Sequence, residues 1–227
     1  MTVEQALQFD DSLWRRFTAL HEAGHAIVAL ATGKASVSEC VIAPTKTTSG
    51  DEASAYTELR WDSLDAHLTL LYGGAAAQQR WLHEQQLWSP LRDSAVEALA
   101  SHDYAAAAAT GAAPEQLRQA QTTALALRDR HWAAILAAGA LLERNGRVSG
   151  ETLSALLHQP PATASPATAQ TPLSPPVAAF SHFMDRARQI AAESQRRASH
   201  TPDTTAQLPH AQSESLGSQQ PGHRHIR

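Results

Sequence analysis

The sequence predicts a mainly α domain with a small β-sheet, followed by a disordered tail. Three observations carry this. Apolar residues recur every three or four positions over about 12–32 and again from residue 63 onward, the spacing of amphipathic helices. A short segment with β-branched residues, about 37–43, reads as a strand, and 55–60 is a second strand candidate. After His158 the composition changes: nine of the twelve prolines lie between Gln159 and Arg227, with Ala, Ser, Thr and Gln filling most of the rest.

The elements follow in order. Residues 1–11 form an N-terminal extension without a basic region and apolar run, so no secretory signal is expected. The first helix, about Ser12 to Thr32, aligns Leu13, Trp14, Phe17, Leu20, Gly24, Ile27, Val28 and Ala31; Asp11 or Ser12 can cap its start and Gly33 suits its end. Val37 to Ala43 is a strand stopped by Pro44, KTTSGDEAS a loop, and Ala55 to Arg60 a second strand. Helices are predicted over about 63–86, 90–110 and 114–144, and a short one over Ser149 to His158 after the Asn145–Gly146 break. The domain thus spans 12–158. The tail, 159–227, is too poor in large apolar residues to offset chain entropy, apart from an amphipathic helix candidate over 177–198.

Charge and cysteine content narrow the function classes. The 227 residues carry a net charge of −4, so a nucleic-acid-binding surface is not expected. Residues 1–158 hold a net −6 and the tail a net +2. The single cysteine, Cys40, makes no disulfide and no CxxC metal pair, which suits a reducing compartment. No apolar run approaches the ~18 residues of a spanning helix, so no membrane anchor and a cytoplasmic location are expected.

One motif carries chemistry. His21-Glu22-Ala23-Gly24-His25 is an HExxH in the middle of the first predicted helix. Residues four apart on a helix differ by about 40° and roughly 6 Å of rise, so both imidazoles can grip one metal ion. Glu22 is one step round, placed to reach a metal-bound water without ligating. Such a zinc site lowers the pKa of its water to ~7, and the carboxylate takes that proton and returns it to the leaving amine. With His and Glu each present 12 times, chance supplies only about 0.03 such motifs in a chain of this length.

A catalytic zinc usually has three protein ligands and a water. The extended HExxHxxGxxH form is excluded, because Val28 and Ala31 stand where Gly and His would be needed. Glu39, Glu52 and Glu58 fall in predicted strands or loop. Asp93, Glu97, His102 and Asp103 are the helical candidates for a third ligand.

RRFTALHEAGHAIVALATG resembles the start of the peptidase domain of FtsH-type ATP-dependent zinc proteases, where HEAGHA is typical. Further blocks follow in the same order. VSECVIAPTKTTSG is similar to that family's V-x-x-V-T-I-x-P strand and glycine loop, LYGGAAAQQRW to its L-x-G-G-R-A-A-E-E helix, and LASHDYAAAAA to its S-N-D-x-x-x-A-T helix. ALRDRHWAAILAAGALLERNGRVSGETLSALL is similar to its last helices, and together the blocks cover about residues 12–158.

The resemblance implies an FtsH-like zinc endopeptidase that hydrolyses peptide bonds in unfolded or flexible polypeptides. It implies one Zn2+ per chain, held by His21, His25 and Asp103, with Glu22 as general base and acid. It also implies an extended substrate added to a sheet edge, for which Ala55, Tyr56, Thr57, Glu58 and Leu59 are the candidate strand. The chain departs from the pattern at His102, in place of Asn, and at GGAAAQQ, which lacks the Arg and the paired Glu. It contains no GxxxxGK[ST] nucleotide loop, so a separate ATPase is the expected partner if a motor is needed; a homo-oligomer is a further expectation. The rival class is a zinc-stabilised binding or adaptor module without catalysis, and a small-molecule metallohydrolase is a third.

Overall fold

In a computed structural model of the chain, the described residues are 2–42, 55–159 and 224–226. Of the predicted features, the whole loop after Ile42 with Glu52, and the tail apart from Gln159 and Arg224–Ile226, including the helix candidate 177–198, lie outside them.

A short helix, α1 (Val3–Leu7), opens the described chain within the predicted extension; Thr2 and Gln5 close a reciprocal capping box around its first turn. The HExxH helix, α2 (Asp11–Ala31), is capped by Asp10, one residue before the predicted cap, through a 2.8 Å bond to the Leu13 amide. Gly33 follows its end with φ +66°, a left-handed turn that favours glycine. The strands β1 (Ala35–Ile42) and β2 (Ala55–Trp61) pair antiparallel, from Ala35 opposite Trp61 to Ile42 opposite Ala55, with an irregularity between Val37 and Glu39.

Each of the three long predicted helices is divided in two. They form α3 (Leu64–Leu71) and α4 (Gly73–Glu84), α5 (Pro90–Leu99) and α6 (Ser101–Ala109), then α7 (Pro114–Arg130) and α8 (Trp132–Asn145). The breaks fall at Tyr72, directly before Gly73-Gly74, and at Ala100 and His131, where no Gly or Pro adjoins the break. Helices α5 and α6 pack against different neighbours, α1 and α4 for the first and α3 for the second, whereas α3 and α4 both pack on α2 and α7. Gly146 ends α8 in the left-handed conformation, and Ser149 caps α9 (Gly150–His158). Between them Arg147–Ser149 forms an unforeseen strand, β3, antiparallel to β1. Arg224–Ile226 adds a further strand, β4, along the other side of β2, and the order is β3-β1-β2-β4. This last strand belongs to the tail predicted to be disordered.

Helix α2 is the centre of the domain, packed against α4, α8 and β1. Phe17, Leu20, Ile27 and Val28 on α2 are buried with Leu70, Leu71, Trp81, Leu82, Ile135 and Leu142. Phe17 meets Phe9 and Trp81 edge-on or tilted at ring distances of 5.3 and 5.9 Å. Helices α2 and α4 meet on glycine: a Cβ at Gly73 would lie 2.7 Å from the Gly24 carbonyl oxygen, nearer than packing permits. The Gly of the HExxH motif therefore has a packing role as well. Among the described residues no helix is long and apolar enough to cross a membrane.

Candidate metal centre

The helical spacing of His21 and His25 does what the sequence predicts: both imidazoles project from one side of α2, with their Nε2 atoms 3.0 Å apart. The bend at Ala100 turns α6 so that Asp103, in its first turn, reaches the same point. Asp103 Oδ2 lies 3.3 Å from each of the two Nε2 atoms. Two ligands about 2.1 Å from a tetrahedral ion stand roughly 3.4 Å apart, so this triangle needs only a small expansion to hold one. Among the described residues these three are the group of His, Cys, Asp and Glu side chains that converges in this way. His25 and Asp103 are buried, and His21 is the most open, with 16% of its side chain exposed.

The outward nitrogens are fixed by further contacts. Gln78 on α4 donates from Nε2 to the Phe17 carbonyl at 3.1 Å, which turns its Oε1 toward His21 Nδ1 at 3.2 Å. His21 Nδ1 is therefore the protonated nitrogen facing Gln78. His25 Nδ1 likewise donates to the Leu70 carbonyl at 2.7 Å. Both rings thus keep the Nε2 lone pair for the centre, the tautomer that a metal requires. Gly74 leaves room for the rings: a Cβ there would sit 2.6 Å from His21 Cε1 and from His25 Nε2.

Without metal the centre holds a proton. Burial alone would lower the pKa of His25, but the Asp103 carboxylate, its hydrogen bond, Glu22 and the Leu70 carbonyl raise it to about 9. Burial would raise Asp103, and the two histidines instead hold it well below the usual carboxylate range.

Glu22 is buried beside the triangle but is not part of it. Its Oε2 accepts a 2.7 Å hydrogen bond from the Thr57 hydroxyl on β2, leaving the carboxylate held in one orientation. Cys40 Sγ lies 3.2 Å from the same hydroxyl, and burial pushes its thiol well up, so it stays neutral.

The other candidates are placed elsewhere. Asp93 accepts from Gln79 Nε2 at 3.1 Å; Glu39 pairs with Arg147 at 3.1 Å and accepts from Tyr56. His102, Glu97 and Glu58 are not in the cluster, and Glu52 lies outside the described residues. Of the five strand residues proposed for substrate, Thr57 and Leu59 are buried and Ala55, Tyr56 and Glu58 partly exposed. Gln78, Thr57 as the partner of Glu22, and Gly74 were not foreseen as parts of the site. The only sequence signal for two of them was GGAAAQQ itself, since a glycine pair and a glutamine on one helix have many ordinary explanations.

No protein-family model matches the chain, and no curated protein matches it.

Proposed function

We propose that the chain is a zinc-dependent endopeptidase of FtsH-like fold acting on unfolded or flexible polypeptides. The observation that supports this best is the triangle of His21 Nε2, His25 Nε2 and Asp103 Oδ2, with separations of 3.0 and 3.3 Å, beside a carboxylate that is not part of it. Two neutral imidazoles and one carboxylate are a common donor set for zinc in hydrolases, and three protein ligands leave a fourth position open. Bound there, zinc supplies Lewis-acid activation of water and of a peptide carbonyl.

The chain's own groups do the rest. His21 and His25 enter with Nδ1 protonated, committed to Gln78 and Leu70, so neither ring turns to another partner. Glu22 accepts a proton at its carboxylate and returns it to the departing amine, the role for which a non-ligating acid next to the ion is suited. Thr57 restrains Glu22 by donating to Oε2, which leaves Oε1 for the proton. Ala55, Tyr56, Thr57, Glu58 and Leu59 belong to the strand along which an extended chain would pair, backbone to backbone, with little demand on side-chain identity. A separate unfolding ATPase as supplier of substrate belongs to the same proposal.

The test is degradation of a labelled, permanently unfolded protein by the zinc-loaded chain, with Glu22→Gln in parallel. Cleavage that disappears in Glu22→Gln while zinc stays bound is the expected result. Bound zinc with no cleavage, alone or with a partner ATPase supplied, would turn the assignment to the non-catalytic binding module.

A further inference from the structure

A strand at the margin of a sheet exposes a row of backbone donors and acceptors that any extended segment can pair with. Strand β2 has β1 on one side. On the other side it carries the chain's own Arg224–Ile226, antiparallel, with Ile226 opposite Thr57, His225 opposite Glu58 and Arg224 opposite Leu59. Thr57 is also the residue whose hydroxyl holds Glu22 Oε2 at 2.7 Å. One residue therefore touches the candidate proton carrier with its side chain and has the tail segment alongside its backbone.

The pairing is not a hairpin that local sequence would form by itself. It joins position 57 to position 226, and the tail between Gln159 and Arg224 separates it from the domain's last helix. It is also short. Three paired residues make few hydrogen bonds, each worth only about 1 kcal/mol net, so the contact is weak in itself and is sustained by being on the same chain. Weak pairing plus tethering is the combination a displaceable occupant needs.

We propose that Arg224–Ile226 is a self-occupant of the β2 edge. It holds in cis the place that an extended polypeptide segment takes beside Glu22, and it yields when such a segment pairs instead. Its effect on turnover rests on the peptidase reading; the occupancy itself does not. The partner class is an extended peptide recognised through its backbone, and the resident example is Arg224-His225-Ile226.

The experiment compares the full chain with His225→Pro/Ile226→Pro, which removes two strand amides, and with a chain ending at His223. Three readouts are taken. Hydrogen exchange follows the β2 amides that point away from β1. Fluorescence anisotropy follows a labelled peptide of residues 222–227 on the metal-free chains, so that its histidines gain nothing from a bound ion. Degradation of a labelled unfolded protein is measured on the zinc-loaded chains at low substrate.

Tethered segments act at effective concentrations near the millimolar range, so relief of a peptide with a dissociation constant about ten times lower amounts to roughly tenfold. Both altered chains should bind the peptide about tenfold more tightly than the full chain, exchange the outward β2 amides faster, and degrade substrate faster by a similar factor. Unchanged exchange and unchanged peptide affinity would overturn the proposal, whatever the turnover. Faster exchange with equal degradation by all three chains would also overturn it, because the segment would then be a strand but no competitor. If exchange and affinity shift while no chain degrades substrate, the occupancy stands and the peptidase reading fails.

Discussion

Replacing Gly74 by alanine tests whether the histidines are held where a metal needs them. On an ordinary helix the change would be favourable, by about 1 kcal/mol of helix propensity. Here the new Cβ would sit 2.6 Å from His21 Cε1 and from His25 Nε2, and 2.7 Å from His21 Nδ1. Ordinary carbon contacts begin near 3.4 Å, so rings or helix must give way by about 0.8 Å. Metal–ligand distances tolerate only about 0.2 Å, so a movement of that size is several times what the centre can absorb. The rings cannot simply rotate, since Gln78 and the Leu70 carbonyl hold their Nδ1 atoms. The expected outcome for Gly74→Ala is a loss of about 10–100-fold in zinc affinity, the range found when support of metal ligands is removed. Overpacking of about 1–3 kcal/mol should also exceed the propensity gain and lower the stability of the metal-free chain. Competition titration with a zinc indicator and urea unfolding of the metal-free protein measure the two effects. A Gly74→Ala protein that binds zinc as tightly as the parent and unfolds at higher urea would refute the reasoning.

Three further outcomes follow from the same contacts. Gln78→Leu removes the acceptor for His21 Nδ1 and should weaken zinc about 10–100-fold, with Gln78→Glu restoring most of it; the same titration decides. Thr57→Val keeps the volume but frees Glu22 Oε2, so turnover should fall about tenfold or more while zinc affinity stays within about twofold, as steady-state kinetics and the zinc titration would show. The metal-free chain should lose stability as pH rises. His25 sits at about 9 when folded, above its usual 6.5, so its proton favours folding fully below pH 6.5 and ceases to do so as pH climbs through about 9. The loss is at most on the order of 3 kcal/mol, counted once because the lowered Asp103 reflects the same contact, whose benefit also disappears on acidification below the carboxylate range. Zinc competes with that proton, so zinc-induced stabilisation should grow over the same pH interval. Urea midpoints at pH 6.5 and 9.5, with and without zinc, test both signs.

The parts of the molecule legible in the sequence are those written in local spacing. The period of α2 was enough to put His21 and His25 on one side of the helix, because four residues on a helix fix their mutual direction. The first strand was legible from its β-branched residues, and Pro44 and Gly50 signalled a break before the second. What was hidden is what depends on partners far along the chain. The bends at Ala100 and His131 carry no Gly or Pro, yet the first of these two brings Asp103 to α2. Spacing alone left Asp103 among four candidates, and only the family resemblance singled it out. Gln78 looked like a departure from a pattern, and it is a buried amide fixing the tautomer of His21. The pairing of Arg224–Ile226 with β2 could not be read from a three-residue segment inside a polar, proline-rich tail.

The most direct measurement of the central claim is the zinc content of three proteins after exhaustive dialysis against a buffered low zinc concentration: the parent chain, Glu22→Gln and Asp103→Asn. One zinc per chain in the parent and in Glu22→Gln, with zinc lost from Asp103→Asn, is the expected result, because Asp103 ligates and Glu22 does not. Zinc retained by Asp103→Asn but lost from Glu22→Gln would contradict it, and the division between ligands and proton carrier would have to be redrawn.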